Sequence, residues 1–279
     1  MDRSSTYTVA PDVLLERARA HRERYANAEP FPHVVIDDFF PPEVLDSILE
    51  EFPNPDGIDW QKFDAGTEKK LASKLESQLG ERTRRFIWGL NSQVFLNYLE
   101  TLTGIEGLIP DPHLFGGGLH QIVPGGFLKV HADFNRHEKL NLDRRLNLLL
   151  YLNRDWKEEY GGHLQLWTRD MGRCVVKVLP VFNRCVVFST TDFSYHGHPD
   201  PLTCPPGRTR KSIAMYYYTN GRPAEELSGE HSTLFRQRPG EIFVRKEKGF
   251  SARQFVKDCI PPVLLKLSRK VRGAPSEQA

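Results

Sequence analysis

A chain of 279 residues is long enough for one large domain or two small ones. Hydrophobic residues make up 39% and charged residues 27%, as in ordinary globular proteins, and a formal net charge of +2 is too mild to argue for nucleic acid or an anionic membrane as partner. The four cysteines (Cys174, Cys185, Cys204, Cys259) lack CxxC spacing, "MDRSSTYTVAPD" lacks the apolar stretch of a signal peptide, and no run approaches transmembrane length, so a reducing cytoplasm is the expected address.

Up to about residue 104 the pattern is mainly helical. One short extended piece, "HVVIDDFF", is expected to join a sheet edge. "PPEVLDSILEEF" then opens with prolines suited to a first helical turn, and Val44, Leu45, Ile48, Leu49 and Phe52 follow helical spacing. "TEKKLASKLESQLG" sets Leu71, Leu75 and Leu79 on one helical face, with Gly80 as the stop. "RRFIWGLNSQVFLNYLETLTG" continues with a stripe of Ile87, Leu90, Val94, Phe95, Leu99 and Leu102.

From Gly118 the texture changes to short β-rich runs: "GLHQIV", "FLKVHADF", "RRLNLLLYLN", "GGHLQLW", "CVVKVL", "RCVVFST" and "KSIAMYYYT". Clusters such as "PGG", "RDWKEEYGG", "PVFN" and "CPPG" punctuate them. Strands of this length without long helices between them predict an antiparallel sandwich or barrel of jelly-roll type, an α+β fold with the N-terminal helices packed on one sheet. Beyond Gly221 the chain is polar and ends in "PPVLLKLSRKVRG", which reads as an amphipathic helix docking on the protein or a partner. The organisation expected is therefore a helical segment 1–104, a β core 105–222 and a C-terminal extension 223–279, one structural domain overall.

Within the β region, "HADFN" places His131 and Asp133 two residues apart, on one face of a strand. Histidine–x–aspartate is common by chance, and a buried His–Asp hydrogen bond is the bland outcome. Well downstream, "FSTTDFSYHGHPDPL" offers His196 and His198 after the apolar strand "RCVVFST". Two histidines and one carboxylate on one face of a metal form the facial triad of non-haem Fe(II) oxygenases, which leaves positions open for co-substrate and oxygen. A surface turn that merely tolerates histidines is the alternative. On the next run, Arg210, Ser212, Ala214 and Tyr216 share one face by alternation. An arginine turned inward there needs a partner, and a ligand carboxylate gripped by its fork, with a further hydrogen bond from Ser212, would supply one. A solvated basic edge of Arg208, Arg210 and Lys211 reads the same residues differently.

Taken in this order, the pieces resemble the iron- and 2-oxoglutarate-dependent oxygenases, and most closely their prolyl 4-hydroxylase-like branch. "LLLYLNRDW" followed by "YGGHLQLW", and "SYHGHP" before "RKSIAMYYYT", carry the resemblance further. It covers roughly residues 30 to 220 and is most specific from Gln121 to Thr219. The resemblance implies a double-stranded β-helix with His131, Asp133 and His196 as iron ligands. It also implies Arg210 and Ser212 on the distal carboxylate of 2-oxoglutarate. Oxygen would be co-substrate, ascorbate a reductant, and succinate and carbon dioxide the co-products of hydroxylation at an unactivated C–H bond. A carboxylate at Asp133 leaves no room for the halide that related halogenases bind, which argues for hydroxylation.

Two departures accompany it. A cofactor-contacting tyrosine expected shortly before "GG" is replaced by Ile122, with Tyr151 as the possible substitute or an ordinary core tyrosine. The distal turn carries a second histidine, His198, whose role the resemblance does not assign. Asn135, Arg136 and His137 either meet substrate at the mouth or form a solvated connection; His120 and His163 are left out of the site. The substrate is a prolyl residue, an amino acid or another small molecule, and neither it nor the oligomeric state is legible. Two rivals remain. "HGHPD" resembles the opening of the H-x-H-x-D-H motif of zinc hydrolases, although Pro201 replaces the final histidine. A non-catalytic cupin-like binding module is the other.

Overall fold

The computed structural model describes residues 9–223, 226 and 229–243. Their β-structure comprises β1 (His33–Ile36), β2 (Gln61–Asp64), β3 (Glu68–Ala72), β4 (Ile109–Pro110), β5 (Gly118–Ile122), β6 (Phe127–Ala132) and β7 (Asp143–Tyr151). It continues with β8 (Leu164–Trp167), β9 (Cys174–Val178), β10 (Cys185–Ser189), β11 (His196–His198), β12 (Arg210–Thr219) and β13 (Leu234–Phe235). Ten of these follow one another by hydrogen bonding in the order β1-β10-β7-β12-β5-β3-β6-β11-β8-β9. Every pairing is antiparallel, and the sheet curls into a nearly closed jelly-roll barrel, as the β-rich runs predict.

Alternation along β7 and β12 decides what lies on each side of the wall. Leu146, Leu148 and Leu150 of β7 and Ile213, Met215 and Tyr217 of β12 point outward into the main apolar core. There they meet Leu14 and Ala18 of α1 (Pro11–Ala26), Leu45 and Ile48 of α2 (Pro42–Glu50), Phe86 and Leu90 of α3 (Glu81–Leu90), and Phe95, Leu99 and Leu102 of α4 (Gln93–Thr103). Each of the buried Leu, Ile, Phe and Met side chains contributes about 1.5–3 kcal/mol by leaving water, so the helical layer fixes this wall firmly. The opposite parity, Asn147 and Leu149 with Arg210, Ser212 and Tyr216, is left to line a cavity inside the barrel.

Local signals place the helix ends. Proline opens α1 and α2, where a missing N–H goes unused. The hydroxyl of Ser92 accepts from the Phe95 N–H and starts α4, and Gly104, at φ 74°, ends it in the left-handed conformation. The single stripe read across "RRFIWGLNSQVFLNYLETLTG" is thus two helices, broken at Asn91–Ser92.

Residues 67–80 depart further from expectation. They are not a helix: Glu68–Ala72 is strand, followed by one 3₁₀ turn at Glu76–Gln78. Leu71 and Ala72 pair with Gln121 and His120, while Glu68 and Lys69 pair with Leu128 and Phe127, so β3 bridges β5 and β6. Leu75 is 59% exposed whereas Leu79 is buried, so the three leucines never shared a face. Two strands with unpaired edges flank this stretch, and their backbone demand overrides a weak local helical preference. "HVVIDDFF" does join a sheet edge, as β1 against β10. The expected C-terminal helix and Cys259 lie outside the described residues.

Candidate active site

The register of β6 and β11 brings the two distant histidines together. His196 is the direct cross-strand partner of His131, and their ring centroids are 4.4 Å apart. Asp133 follows just past the end of β6. One ligand atom from each of His131, Asp133 and His196 lies within 4.8 Å of the others. His131 Nε2 is 3.5 Å from Asp133 Oδ1, and His196 Nε2 is 3.4 Å from Asp133 Oδ2.

Hydrogen bonds behind the rings choose the tautomer. His131 Nδ1 is 2.8 Å from the Lys129 carbonyl and His196 Nδ1 is 2.9 Å from that of Ser194. A carbonyl only accepts, so both Nδ1 atoms carry the proton and both Nε2 atoms turn a lone pair inward. Two imidazole lone pairs and a carboxylate facing one another across 3.4–3.5 Å have no donor between them. A divalent cation satisfies that arrangement, and the donor set of two nitrogens and one carboxylate oxygen fits non-haem iron.

Asp133 is itself held in place. Arg144 Nη2 lies 3.0 Å from its Oδ2, and Asn147 Nδ2 donates to the same oxygen at 2.7 Å. Arg144 also donates to Asn147 Oδ1 and stacks 3.5 Å above the Tyr216 ring. Burial alone would raise the Asp133 pKa, but Arg144, His196 and His131 outweigh it and hold the carboxyl well below its usual 3.8. For His196 burial dominates and, against the pull of Asp133, lowers its pKa to about 4. Both groups are therefore in ligating form at neutral pH.

From this cluster a cavity of about 70 Å³ leads inward to Arg210 and Ser212, with Ile122 and Leu164 among its walls. Arg210 is 4% exposed, and no carboxylate pairs with it among the described residues. Its Nε donates to the Gly162 carbonyl at 2.9 Å, and Nη2 donates to the Tyr151 hydroxyl at 3.3 Å over a ring 4.8 Å away. The solvated-edge reading of Arg210 therefore does not hold. Tyr151 is fully buried behind Arg210 and positions it instead of lining the cavity. A buried guanidinium with donors to spare beside the Ser212 hydroxyl has the chemistry to hold a carboxylate.

Outward, a second cavity of about 390 Å³ opens over the same cluster. Phe63, Phe115, Phe134, Tyr216 and Phe235 supply aromatic walls, while Lys70, Lys74 and Lys139 bring positive charge. Lys70 and His120 line both cavities. Asn135, Arg136 and His137 are absent from either lining: Arg136 bonds Asn141, and His137 is fully buried against Asp111. His163 pairs with Glu158. The zinc-motif geometry does not form, because Asp200 pairs with Arg238, away from the three converging ligand atoms.

Sequence reasoning missed Arg144, Asn147 and Lys70, put Tyr216 on the face of Arg210 and Ser212 without a role, and left out His120, which lines both cavities. Asn147 carried a signal: a lone amide inside "LNLLLY", on the inward face by alternation, is a buried polar group that must have a partner. Lys70 carried none, since its segment read as helix.

Residues 117–218 match the family model described as the 2OG-Fe(II) oxygenase superfamily. Three solved structures share the fold. A prolyl-4-hydroxylase from Pseudomonas putida is 19% identical, with TM-score 0.52, over 73% of this chain and all of the other. A prolyl 4-hydroxylase from Phytophthora capsici is 22% identical, with TM-score 0.51, over 77% of this chain and 68% of the other. A Trichoplax adhaerens prolyl hydroxylase, in complex with a hypoxia inducible factor peptide fragment, is 16% identical, with TM-score 0.52, over 77% of this chain and 96% of the other.

Residues 117–218 are thus similar to the 2OG-Fe(II) oxygenase superfamily, and the jelly-roll fold around them is the one these solved structures share. No helix among the described residues is long and apolar enough to cross a membrane.

Proposed function

We propose that His131, Asp133 and His196 hold Fe(II), that Arg210 and Ser212 grip the far carboxylate of 2-oxoglutarate, and that the enzyme hydroxylates an unactivated C–H bond of a substrate seated in the outer cavity. One observation carries this reading: three converging ligand atoms and an unpaired buried arginine share one enclosed space. When bound, iron and 2-oxoglutarate supply the oxidising power, with O2 as co-substrate, succinate and carbon dioxide as co-products, and ascorbate as the reductant that restores the metal.

The chain's own residues prepare that chemistry. The Lys129 and Ser194 carbonyls keep the Nδ1 protons of His131 and His196, so each Nε2 is free to ligate. Arg144 and Asn147 fix Asp133 through Oδ2 and leave its other oxygen for the metal. Gly162 and Tyr151 aim the Arg210 fork. Phe188, 4.7 Å from His196, and Phe235, 5.5 Å from His131, keep water from the histidine faces. With a carboxylate at position 133, halide has no place in the coordination sphere, which favours hydroxylation.

A cavity of about 390 Å³ with aromatic walls suits a prolyl residue of a peptide, an amino acid or a small biosynthetic molecule. The prolyl substrate comes first, because the three relatives named above are prolyl hydroxylases.

The test is an anaerobic mixture of the protein with Fe(II) and 2-oxoglutarate. A visible charge-transfer band is expected, followed by succinate when air enters. Absence of the band would refute the assignment, and a band without succinate would point to a binding module.

A further inference from the structure

The second histidine of the distal turn, His198, takes no part in the proposed iron site. It is 4% exposed, yet neither ring nitrogen has a hydrogen-bond partner. Buried polar groups are almost always paired, so a side chain with both nitrogens unmade marks a place where something binds. His198 shares the inward face of β11 with His196, but the pairing shifts between them: His196 opposes His131 and His198 opposes Leu128. His196 therefore meets the ligand cluster, while His198 lines the inner cavity beside Arg210 and Ser212.

The company it keeps selects the ligand. The chargeable groups lining the inner cavity with His198 are Arg210, Lys70, His120, His131 and His196, and the one carboxylate, Asp133, is paired with Arg144. Around His198, at the Arg210 end, the surplus is positive, and an anion with several acceptor oxygens is favoured there. In either protonation state the imidazole offers at least one N–H. Its position is rigid as well. A Cβ on Gly197 would come within 2.8 Å and 2.9 Å of the Leu128 and Lys129 carbonyl oxygens, so β11 lies tight against β6 and His198 cannot swing away with its backbone.

We propose that His198 donates a hydrogen bond to the far carboxylate of 2-oxoglutarate, a third contact beside Arg210 and Ser212. This rests on the reading of the inner cavity as the co-substrate site. The residue thereby raises selectivity for a diacid over a 2-oxo acid that lacks the second carboxylate.

The experiment compares wild type, His198→Leu and His198→Gln as full-length proteins loaded anaerobically with Mn(II). Each is titrated with 2-oxoglutarate and with 2-oxopentanoate, which has the same chain length without the far carboxylate. We expect His198→Leu to bind 2-oxoglutarate about tenfold more weakly and 2-oxopentanoate equally well, with Mn(II) affinity unchanged. His198→Gln, which keeps a donor, recovers most of the loss. Equal losses for both acids would mean a structural role and overturn the proposal, as would an unchanged 2-oxoglutarate affinity or a ring that bonds only water.

A wild-type measurement guards against a variant that fails to fold. With Zn(II) in place of Mn(II), nitrogen-15 spectra of the histidine rings should show the His198 N–H shifting with 2-oxoglutarate and not with 2-oxopentanoate. No such shift, despite 2-oxoglutarate binding, sinks the proposal alone. A wild type that binds no 2-oxoglutarate sinks the co-substrate site and this inference with it.

Discussion

Arg144 lies 3.0 Å from the Oδ2 of Asp133, with both side chains shut inside the barrel, at 1% and 11% exposure. The pair cancels charge in the metal-free protein and also restrains the carboxylate that would ligate the metal. Removing the cation leaves a buried carboxylate without its main counter-charge, a change that typically costs about 3–5 kcal/mol. Arg144→Met is therefore expected to lower the melting temperature sharply in EDTA. Mn(II) should restore much of the loss, because the metal supplies the missing positive charge. Equal destabilisation with and without Mn(II) would show that Arg144 acts only as a packing element over Tyr216.

Acid should unfold the metal-free protein earlier than the metal-bound form. His196 is held at about 4 by burial, against an ordinary 6.5. Between those values the unfolded chain binds a proton that the folded chain refuses. Stability contributed by neutral His196 is thus complete above pH 6.5 and lost as pH falls towards 4, on the order of 3 kcal/mol in all. His120, lowered to about 3 by burial and then by Lys70, adds to the same slope. Asp133, whose folded pKa is depressed, adds a loss only below its ordinary 3.8. Melting temperatures from pH 7 to 4 in EDTA should fall less steeply for His196→Gln than for wild type. Parallel curves would contradict the assignment.

These two predictions lean on residues that the sequence reveals unequally. Strand alternation made His131 and Asp133 legible as a pair and strand-end position marked His196 and His198, but the choice of His131, Asp133 and His196 as a ligand set came from the family resemblance. Parity along one long strand put Arg210 and Ser212 on a shared face, the resemblance chose the inward reading over a solvated edge, and the structure puts both in the cavity wall. Arg144 was not legible: at the start of "RRLNLLLYLN" it looks like any solvated strand-end charge, and only the curl of the barrel turns it toward Asp133. Lys70 was hidden for a different reason. Leucines at 71, 75 and 79 imitate a helix, whereas the chain there is a strand because β5 and β6 both need its backbone. Local pattern reports local periodicity, and contacts made by sheet closure leave no trace in it.

Tyr151 and Arg210 should separate cleanly in co-substrate binding. Arg210→Ala removes the only guanidinium lining the inner cavity among the described residues and should weaken 2-oxoglutarate binding by roughly 100-fold, as expected for a charge-assisted pair. Tyr151→Phe deletes one hydroxyl 3.3 Å from Nη2, while the ring and the Gly162 carbonyl still hold the guanidinium. A loss of about three- to fivefold is expected there, near the net value of one hydrogen bond. Titration of the charge-transfer band measures both. A Tyr151→Phe loss as large as that of Arg210→Ala would mean the phenol touches 2-oxoglutarate directly.

Gly162 tests how closely this end of the cavity is built. Its φ of 74° lies in the left-handed region, where a Cβ adds strain. A methyl group there would also meet Leu202 Cδ2 at 2.6 Å and Arg210 Cδ at 3.0 Å, and its carbonyl is the one that accepts from Arg210 Nε. Leu202 is buried, so it cannot step aside freely, and the backbone must move and carry its carbonyl with it. Gly162→Ala is expected to cost about 1–3 kcal/mol of stability and to weaken 2-oxoglutarate binding as well. Gly161, also at positive φ (68°), has nothing within 4 Å of its Cβ position and serves as the control. Gly161→Ala should share the backbone strain and keep normal 2-oxoglutarate affinity. If both variants lower affinity equally, strain in the turn is the cause and the contact between Gly162 and Arg210 is not.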